Sequence, residues 1–229
     1  MTKALDNLTI FLYKNKLNQT TLIDFLPKFS SITIKHILDD ISNISNISNK
    51  TDIPTISNKL YVFSDGNCKG NGTKNAKGGY SIYFGESELY SIFNKTKEIM
   101  NPTNNKAELS GIHNIFKILH SNKNELFFKN KEIIICTDSL YSINCIIKWS
   151  DNWIKSNWVN AKKESVKNKE LIQEILEFKK TLNEIDISFK HVFGHTKEPL
   201  DKKSLEYFFW YGNNTVDTNI NKILTNNKI

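Results

Sequence analysis

Five short runs of apolar residues predict β-strands in the part of the chain that follows residue 58. They lie at residues 60–64, 79–84, 88–93, 133–136 and 185–191. The second and third runs flank Gly85 and predict a hairpin. The fourth run is apolar throughout, which is typical of a strand buried on both faces, whereas the fifth alternates apolar and polar residues as a half-exposed strand does.

Helical spacing of apolar residues predicts four helices between and after these strands. The helices begin near Asn104, Ser139 and Asn168 and after Gly212-Asn213. The element order is therefore β-β-β-α-β-α-α-β-α. This order predicts an α/β fold, with a five-stranded mixed sheet flanked by helices.

Residues 1–58 differ from the rest of the chain in their pattern. Residues 1–41 carry two short apolar patterns, which predict a small N-terminal extension with helical spacing at 34–41. Residues 42–58 are polar and repeat Ser, Asn and Ile, so we interpret them as a linker. The main domain is then expected to span residues 59–229.

Charge adds a second difference between the two parts. All 31 basic residues are Lys, since the chain has no Arg, and the net charge is +7. Residues 1–58 hold 6 Lys and 5 acidic residues, while residues 59–229 hold 25 Lys and 19 acidic residues. The positive charge of the main domain favours an anionic partner such as nucleic acid.

Cysteine usage and hydropathy predict an intracellular protein, either cytoplasmic or nuclear. The three cysteines fit neither a zinc site nor a disulfide framework, so reduced thiols are expected. No apolar stretch of about 18 residues exists, which argues against a membrane span. The first residues lack the pattern of a secretion signal.

Four acidic residues are placed where strands end or helices begin. They are Asp65, Glu108, Asp138 and Asp217. Such positions converge at the carboxyl ends of the strands in an open α/β sheet. Converging carboxylates repel one another, and Mg²⁺ with oxygen ligands is the natural way to neutralise them. Each acid taken alone could instead lie in the first turn of a helix, where its negative charge interacts favourably with the helix dipole.

The segments around these acids resemble the ribonuclease H family in order and spacing. They are FSDGNCKGNG at 63–72, TNNKAEL at 103–109, CTDS at 136–139, VFGHT at 192–196 and GNNTVD at 212–217. The type 1 cellular form is the most similar, because three Trp residues and the Lys-rich stretch after them resemble its basic protrusion; they are Trp149, Trp153 and Trp158. The resemblance covers residues 59 to about 225.

The resemblance implies an endonuclease that hydrolyses the RNA strand of RNA–DNA hybrids and leaves 5′-phosphate and 3′-hydroxyl ends. It implies two Mg²⁺ ions, for which Mn²⁺ can substitute, held by Asp65, Glu108, Asp138 and Asp217. His195 would assist proton transfer or product release. A monomer acting on hybrids, for example in DNA replication, is the expected form.

The resemblance also implies substrate contacts along the domain. The backbone at Gly66 and Cys68 would touch RNA, and the amides that match the hybrid-contacting positions are Asn71, Asn104 and Asn105. Tyr141 and Trp153 match the aromatic residues of a DNA channel. Thr103 and Asn168 match part of a DNA-phosphate pocket.

Three departures from the family pattern concern the same regions. Met100-Asn101-Pro102 stands where an Arg phosphate clamp is often found, so Lys97 or Lys106 is expected to supply the charge as a point charge. The predicted loop 196–211 is long and rich in aromatic residues. Residues 1–41 lack the Gly- and aromatic-rich pattern of a hybrid-binding module.

Two other functions are compatible with these residues. An inactive module that binds hybrids or RNA is expected to have lost a carboxylate, and none of the four is missing. A nuclease of the same fold acting on DNA is disfavoured by the TNNKAE motif and by the Trp-rich segment.

Overall fold

A five-stranded mixed sheet forms the centre of the described part of the chain, as the sequence predicts. The computed structural model describes residues 59–125, 128 and 131–225. The extension and linker predicted for residues 1–41 and 42–58 lie outside these residues. The strands are β1 (Lys59–Lys69), β2 (Lys77–Tyr83), β3 (Lys95–Ile99), β4 (Glu132–Thr137) and β5 (Asp186–His191).

The strand order across the sheet is β3-β2-β1-β4-β5. Strand β1 pairs antiparallel with β2 and parallel with β4, and β5 lies parallel to β4 at the edge. The parallel pairing of β1 with β4 ends at Phe63, opposite Cys136. Beyond Phe63, β1 continues with β2 alone, which opens a space beside the end of β4.

Helices cover both faces of this sheet. They are α1 (Glu88–Ser91), α2 (Asn104–Ser121), α3 (Leu140–Asn144), α4 (Ser150–Lys155), α5 (Lys169–Thr181) and α6 (Leu205–Thr225). A π-helical turn, Cys145–Trp149, joins α3 to α4. Helix α2 packs on β1 and β2 and is contacted by α5, whereas α6 packs on β1, β2 and β3 from the other side.

The alternation of side chains along β1 assigns its residues to two cores. Val62 belongs to the larger core under α2, with Leu109 and Phe116 of that helix. Phe63 points to the opposite face and packs with Val216 of α6. Both β1 residues are almost fully buried, so the central strand is apolar on both faces.

The strand predicted at residues 88–93 is wrong, because that segment forms α1 and the third strand lies at Lys95–Ile99. Backbone bonds from Tyr90 and Ser91 to the Ser87 carbonyl, at 3.0 and 2.8 Å, close a helical turn. The Phe93 ring lies 5.6 Å from the Phe84 ring. The apolar residues therefore reach the core from a turn, not from a pleated strand.

The last helix also begins earlier than predicted, at Leu205 instead of after Gly212-Asn213. Residues 205–211 of the predicted long loop are therefore helical. The Phe208 and Phe209 rings pack on Tyr61 at 5.3 and 5.4 Å. Gly212 is buried against the ring of Phe63. Aromatic packing on the sheet thus outweighs the weak helix propensity of glycine.

Candidate active site

The four predicted acidic residues line one cleft beside the end of β4. Asp65 lies in β1, two residues beyond the last pair with β4, and Asp138 directly follows β4. Helix α2 contributes Glu108 and α6 contributes Asp217. His195 lines the same cleft. The arrangement brings together the five residues that the sequence analysis selected for chemistry.

The local positions of three acids differ from the prediction. Asp65 does not end its strand, because β1 continues to Lys69. Glu108 is the fifth residue of α2 and lies beyond its first turn, and Asp217 lies near the middle of α6. Favourable interaction with a helix dipole is confined to the terminal turn. The dipole therefore does not account for Glu108 or Asp217.

Three of the carboxyl groups form a tight cluster. Asp65, Glu108 and Asp138 each offer an oxygen, and these oxygens lie within 4.8 Å of one another. Asp65 and Glu108 are each only 6% exposed. The approach of α2 to β1 depends on Gly66, since a Cβ there would lie 2.1 Å from the Glu108 backbone nitrogen. Close packing at Gly66 therefore holds two carboxylates side by side.

The cluster is electrostatically unfavourable when its carboxyl groups are ionised. Burial, and then the nearby charge of Asp138, raises the pKa of Asp65 to about 7, although the Gly66 amide donates to Asp65 Oδ1 at 2.7 Å. Burial also raises the pKa of Glu108 well above its usual value. The pKa of Asp138 is raised by burial and lowered by a hydrogen bond from Asn213.

A hard divalent cation fits this donor set. Glu108 Oε2 is buried and has no hydrogen-bond partner among the described residues. An unpaired buried carboxylate oxygen is costly unless a cation or a proton satisfies it. Carboxylate oxygens are the ligands that Mg²⁺ takes. Asp65, Glu108 and Asp138 would hold the cation, and Asp217 lines the same cleft.

Asparagine side chains that the sequence analysis missed support the acids. Asn221 donates to Asp217 Oδ1 at 3.0 Å, and Asn67 donates to Asn221 Oδ1 at 3.2 Å. The i,i+4 spacing of Asp217 and Asn221 on α6 is a usable signal. The chain contains 30 Asn, and no feature of the sequence distinguishes Asn67 and Asn213 from the others.

His195 reaches the cleft from the loop that follows β5. Its backbone has a φ of 52°, and its side chain is exposed. The ring of His191, at the end of β5, has Nε2 3.2 Å from the carbonyl oxygen of Asp138. This contact ties the start of the His195 loop to the segment that carries Asp138.

The predicted substrate residues fall into two groups. Gly66, Asn104 and Tyr141 line the cleft of the carboxylates. Four others lie outside it. Asn105 and Thr103, the latter predicted for the DNA-phosphate pocket, are exposed at the start of α2, and Asn71 is exposed in the turn after β1. Cys68 is buried, with its thiol 3.5 Å from the Pro102 carbonyl.

Thr103 has a clear structural role at the start of α2. Its hydroxyl caps the helix by accepting a hydrogen bond from the Lys106 backbone nitrogen at 3.2 Å. The Lys106 ammonium group donates to the carbonyl of Met100 at 2.8 Å. Of the two lysines expected to replace an Arg clamp, Lys106 is therefore engaged in holding the turn before α2, and Lys97 is exposed on β3.

A row of aromatic rings leads away from the cleft. Tyr141 lies 6.1 Å from Trp149, Trp149 lies 5.7 Å from Trp153, and Trp153 lies 6.3 Å from Trp158. The Asn168 side chain is near Tyr141 and acts to lower the pKa of the Tyr141 hydroxyl group, which burial raises. Trp153 thus does not line the carboxylate cleft but connects with it through neighbouring rings. Thr103 and Asn168 lie at the starts of different helices, and no described hydrogen bond joins them.

Comparisons with known proteins point to one family. The family model described as RNase H matches residues 57–222. Ribonuclease H of Clostridium botulinum is 36% identical over 143 residues, which cover 60% of this chain and 85% of the relative. Ribonuclease H1 of Mus musculus is 28% identical over 162 residues, 71% of this chain and 53% of the mouse protein.

A structural comparison gives the same fold. The solution structure of the PFV RNase H domain superposes with a TM-score of 0.53 at 19% identity, covering 72% of this chain and 93% of the domain.

Among the described residues, no helix combines the length and the apolar character that crossing a membrane would need.

Proposed function

Because this chain belongs to the ribonuclease H family, we propose that it is an endonuclease that hydrolyses the RNA strand of RNA–DNA hybrids. The observation that carries the proposal is the cluster of Asp65, Glu108 and Asp138, whose oxygens lie within 4.8 Å of one another. Two of these acids are buried, and none of the described residues that line the cleft is a Lys. Such a cluster makes folding less favourable, and groups of this kind concentrate at functional sites. Binding of a cation for catalysis would explain why the cluster is present.

The proposed cofactor is Mg²⁺, with Mn²⁺ as a substitute. We propose two ions for the four carboxylates, since Asp217 lines the same cleft as the tight cluster of three. When bound, the ions supply positive charge for the phosphate oxygens and acidify the attacking water. Hydrolysis of the P–O3′ bond leaves a 5′-phosphate on one RNA fragment and a 3′-hydroxyl on the other.

His195 is the proposed proton-transfer residue. Its exposed ring lines the cleft from the loop after β5, where both the solvent and a bound phosphate can reach it. The ring can accept a proton from water or give one to the leaving 3′ oxygen, which is the role of a general acid or base. Because it is exposed, it can also help the product to leave.

Selection of a hybrid requires contact with both strands. Asn104 lines the cleft and can donate to or accept from a ribose 2′-hydroxyl, the group that distinguishes RNA from DNA. The aromatic row from Tyr141 to Trp153 offers apolar rings to deoxyriboses of the other strand. The remaining predicted contacts would extend the same surface: Gly66, Cys68, Asn71, Thr103, Asn105 and Asn168.

Cleavage of matched duplexes tests the proposal. The substrates are an RNA–DNA hybrid, a double-stranded DNA and a double-stranded RNA of one sequence, each labelled on one strand at a time. The expected result is cleavage of the RNA strand in the hybrid only, and only with Mg²⁺ or Mn²⁺ present. Cleavage of a DNA strand, or equal cleavage of double-stranded RNA, contradicts the proposal. A monomeric protein acting inside the cell on replication hybrids is the form in which we expect this activity.

A further inference from the structure

A second cavity lies directly beside the cleft, on the side of His195. It is formed between the end of β5, the loop 193–199 and the first two turns of α6. A small pocket that reaches His195 and Asp217 shares three of its lining residues, namely Phe193, Thr196 and Trp210. The cavity is therefore continuous with the proposed active site. We call it the aromatic pocket.

The walls of the aromatic pocket are rings held in place by contacts. Trp210 donates its indole N–H to the Thr196 carbonyl at 3.1 Å, which joins α6 to the loop. The ring of Phe193 stands edge-on to the His191 ring at 5.4 Å and is 77% exposed. A large exposed aromatic side chain beside a catalytic cleft offers a flat surface on which a nucleobase can stack.

The charges of the pocket are mixed. The Lys190 ammonium group lies 4.5 Å above the ring of Phe209 and makes no ion pair among the described residues. His191 and Glu206 also line the cavity. Lys190 can bind a phosphate, and Glu206 can accept a hydrogen bond from a sugar hydroxyl or an exocyclic amine. Rings together with one ammonium group and one carboxylate acceptor match the chemistry of a single nucleotide.

We propose that the aromatic pocket binds an unpaired nucleotide of a strand that extends beyond the hybrid at the active site. The proposal rests on the proposed function, since the occupant is argued from continuity with the nucleic-acid cleft. The base stacks on Phe193 and the phosphate is bound by Lys190. A duplex cannot place a base in the pocket without unpairing it, so the pocket selects hybrids that end in a single strand near the cut.

Binding measurements with extended and blunt hybrids test the proposal. The hybrids share one duplex and carry a four-nucleotide extension on the 5′ or 3′ side, made of RNA or of DNA. Fluorescence anisotropy in EDTA gives the ratio of the blunt to the extended dissociation constant without cleavage. At least one extension should tighten binding by roughly fivefold or more, as expected for one stacked base. The four arms identify the strand and its chemistry.

Variants then assign the effect to the pocket. Phe193→Ala should reduce the ratio for that extension to about one, while Phe193→Trp should retain it. Leu200→Ala is the matched control, because Leu200 is a fully exposed apolar residue between β5 and α6 that does not line the pocket. Lys190→Ala should lower the ratio and weaken its dependence on salt concentration.

Two results would overturn the proposal. If none of the four extensions changes the dissociation constant, the pocket does not bind an unpaired nucleotide. If Phe193→Ala leaves the ratio unchanged, an observed effect arises elsewhere, and the pocket is free for a protein partner. Cleavage of the blunt hybrid is scored separately, so loss of the proposed function and loss of the extension effect are distinguishable.

Discussion

Asp138 is the carboxylate of the cluster that lies beside the end of β5 and the loop after it, at His191 and Gly194. The nearby Asn213 side chain acts to lower the pKa of the Asp138 carboxyl group, and the Asp138 carbonyl oxygen lies 3.2 Å from His191 Nε2. Gly194 lies so close that a Cβ there would be 2.1 Å from Asp138 Oδ2. These contacts fix the carboxylate where the loop of His195 begins, so a change of its charge alone is a clean test.

The substitution Asp138→Asn should abolish cleavage of the hybrid while leaving hybrid binding largely intact. The amide has nearly the shape of the carboxylate but lacks the negative charge that a divalent cation needs. Cleavage rates with Mg²⁺ and dissociation constants in EDTA measure the two effects. Asp186→Asn, at the exposed start of β5, is the control and should retain activity. Near-normal turnover of Asp138→Asn would refute the assignment.

His195→Ala should slow turnover and not eliminate it. In the proposed mechanism the cations would supply most of the electrostatic stabilisation, and the exposed imidazole would add proton transfer that water can partly replace. A loss of about 10²-fold in kcat, the lower end of general acid–base contributions, is expected. Single-turnover and steady-state rates separate chemistry from product release. Complete loss of cleavage would show that His195 does more than this.

The buried carboxyl groups should make the metal-free protein less stable as the pH rises. The pKa of Asp65 is about 7 in the folded chain against its usual 3.8. Between these values the folded state holds a proton that the unfolded state has lost, so stability is highest below about 3.8 and falls as the pH rises through about 7. The contribution is at most about 4 kcal/mol.

Thermal unfolding in EDTA checks this pH dependence. Wild-type protein should melt at a lower temperature at pH 8 than at pH 5.5, by about 2–4 °C for each kcal/mol. Asp65→Asn should raise the melting temperature at pH 8, and Asp186→Asn should not. Mg²⁺ at pH 8 should stabilise wild-type protein more than Asp65→Asn. A flat profile for metal-free wild-type protein would contradict the burial of an ionised cluster.

At the scale of elements, the sequence was most informative where one pattern had one structural explanation. The continuous apolar run at 133–136 gave a strand buried on both faces, and the stripe on α2 gave a helix that packs on the sheet. At residues 88–93 the pattern was ambiguous, since Tyr90 and Phe93 are buried equally well by a strand or by one helical turn. Long-range packing against Phe84 and Phe128 decides for the turn.

The sequence does not indicate the start of α6 at Leu205, because a glycine such as Gly212 usually marks a helix boundary. Gly212 is inside the helix, where its missing side chain leaves room for the ring of Phe63. Nothing in the local sequence reports that contact, since the two residues are far apart along the chain. The aromatic residues before Gly212 are the signal that could have been used, because their packing on β1 extends the helix.

Gly212→Ala should therefore destabilise the protein although alanine favours helices. A Cβ at this position would lie 2.3 Å from the Phe63 ring, which is itself only 2% exposed. Overpacking of this kind costs about 1–3 kcal/mol. Urea unfolding measures the change. Asn214→Ala, exposed on the same helix, is the control, and equal stability of the two variants would contradict the close contact.

At the scale of the whole molecule, most of the net positive charge and all residues of the proposed active site lie in the same part of the chain. Residues 59–229 hold six of the seven net positive charges. The described core is made of residues between Leu60 and Leu224. Five lysines closely follow Trp153 along the chain, and they are Lys155, Lys162, Lys163, Lys167 and Lys169. Binding without any Arg should depend on point charges and be sensitive to salt.

A chain that begins at Lys59 should fold and cleave hybrids as the full-length protein does. Every residue of the proposed site follows residue 58, and β1 begins at Lys59. Circular dichroism, urea unfolding and hybrid cleavage compare the shortened and full-length chains. A chain beginning at Ser64 is the matched control, because it lacks the buried residues Leu60, Val62 and Phe63 and should not fold. If the chain from Lys59 is insoluble, the boundary at residue 58 is wrong, and residues 1–58 contribute to the stability of the catalytic domain.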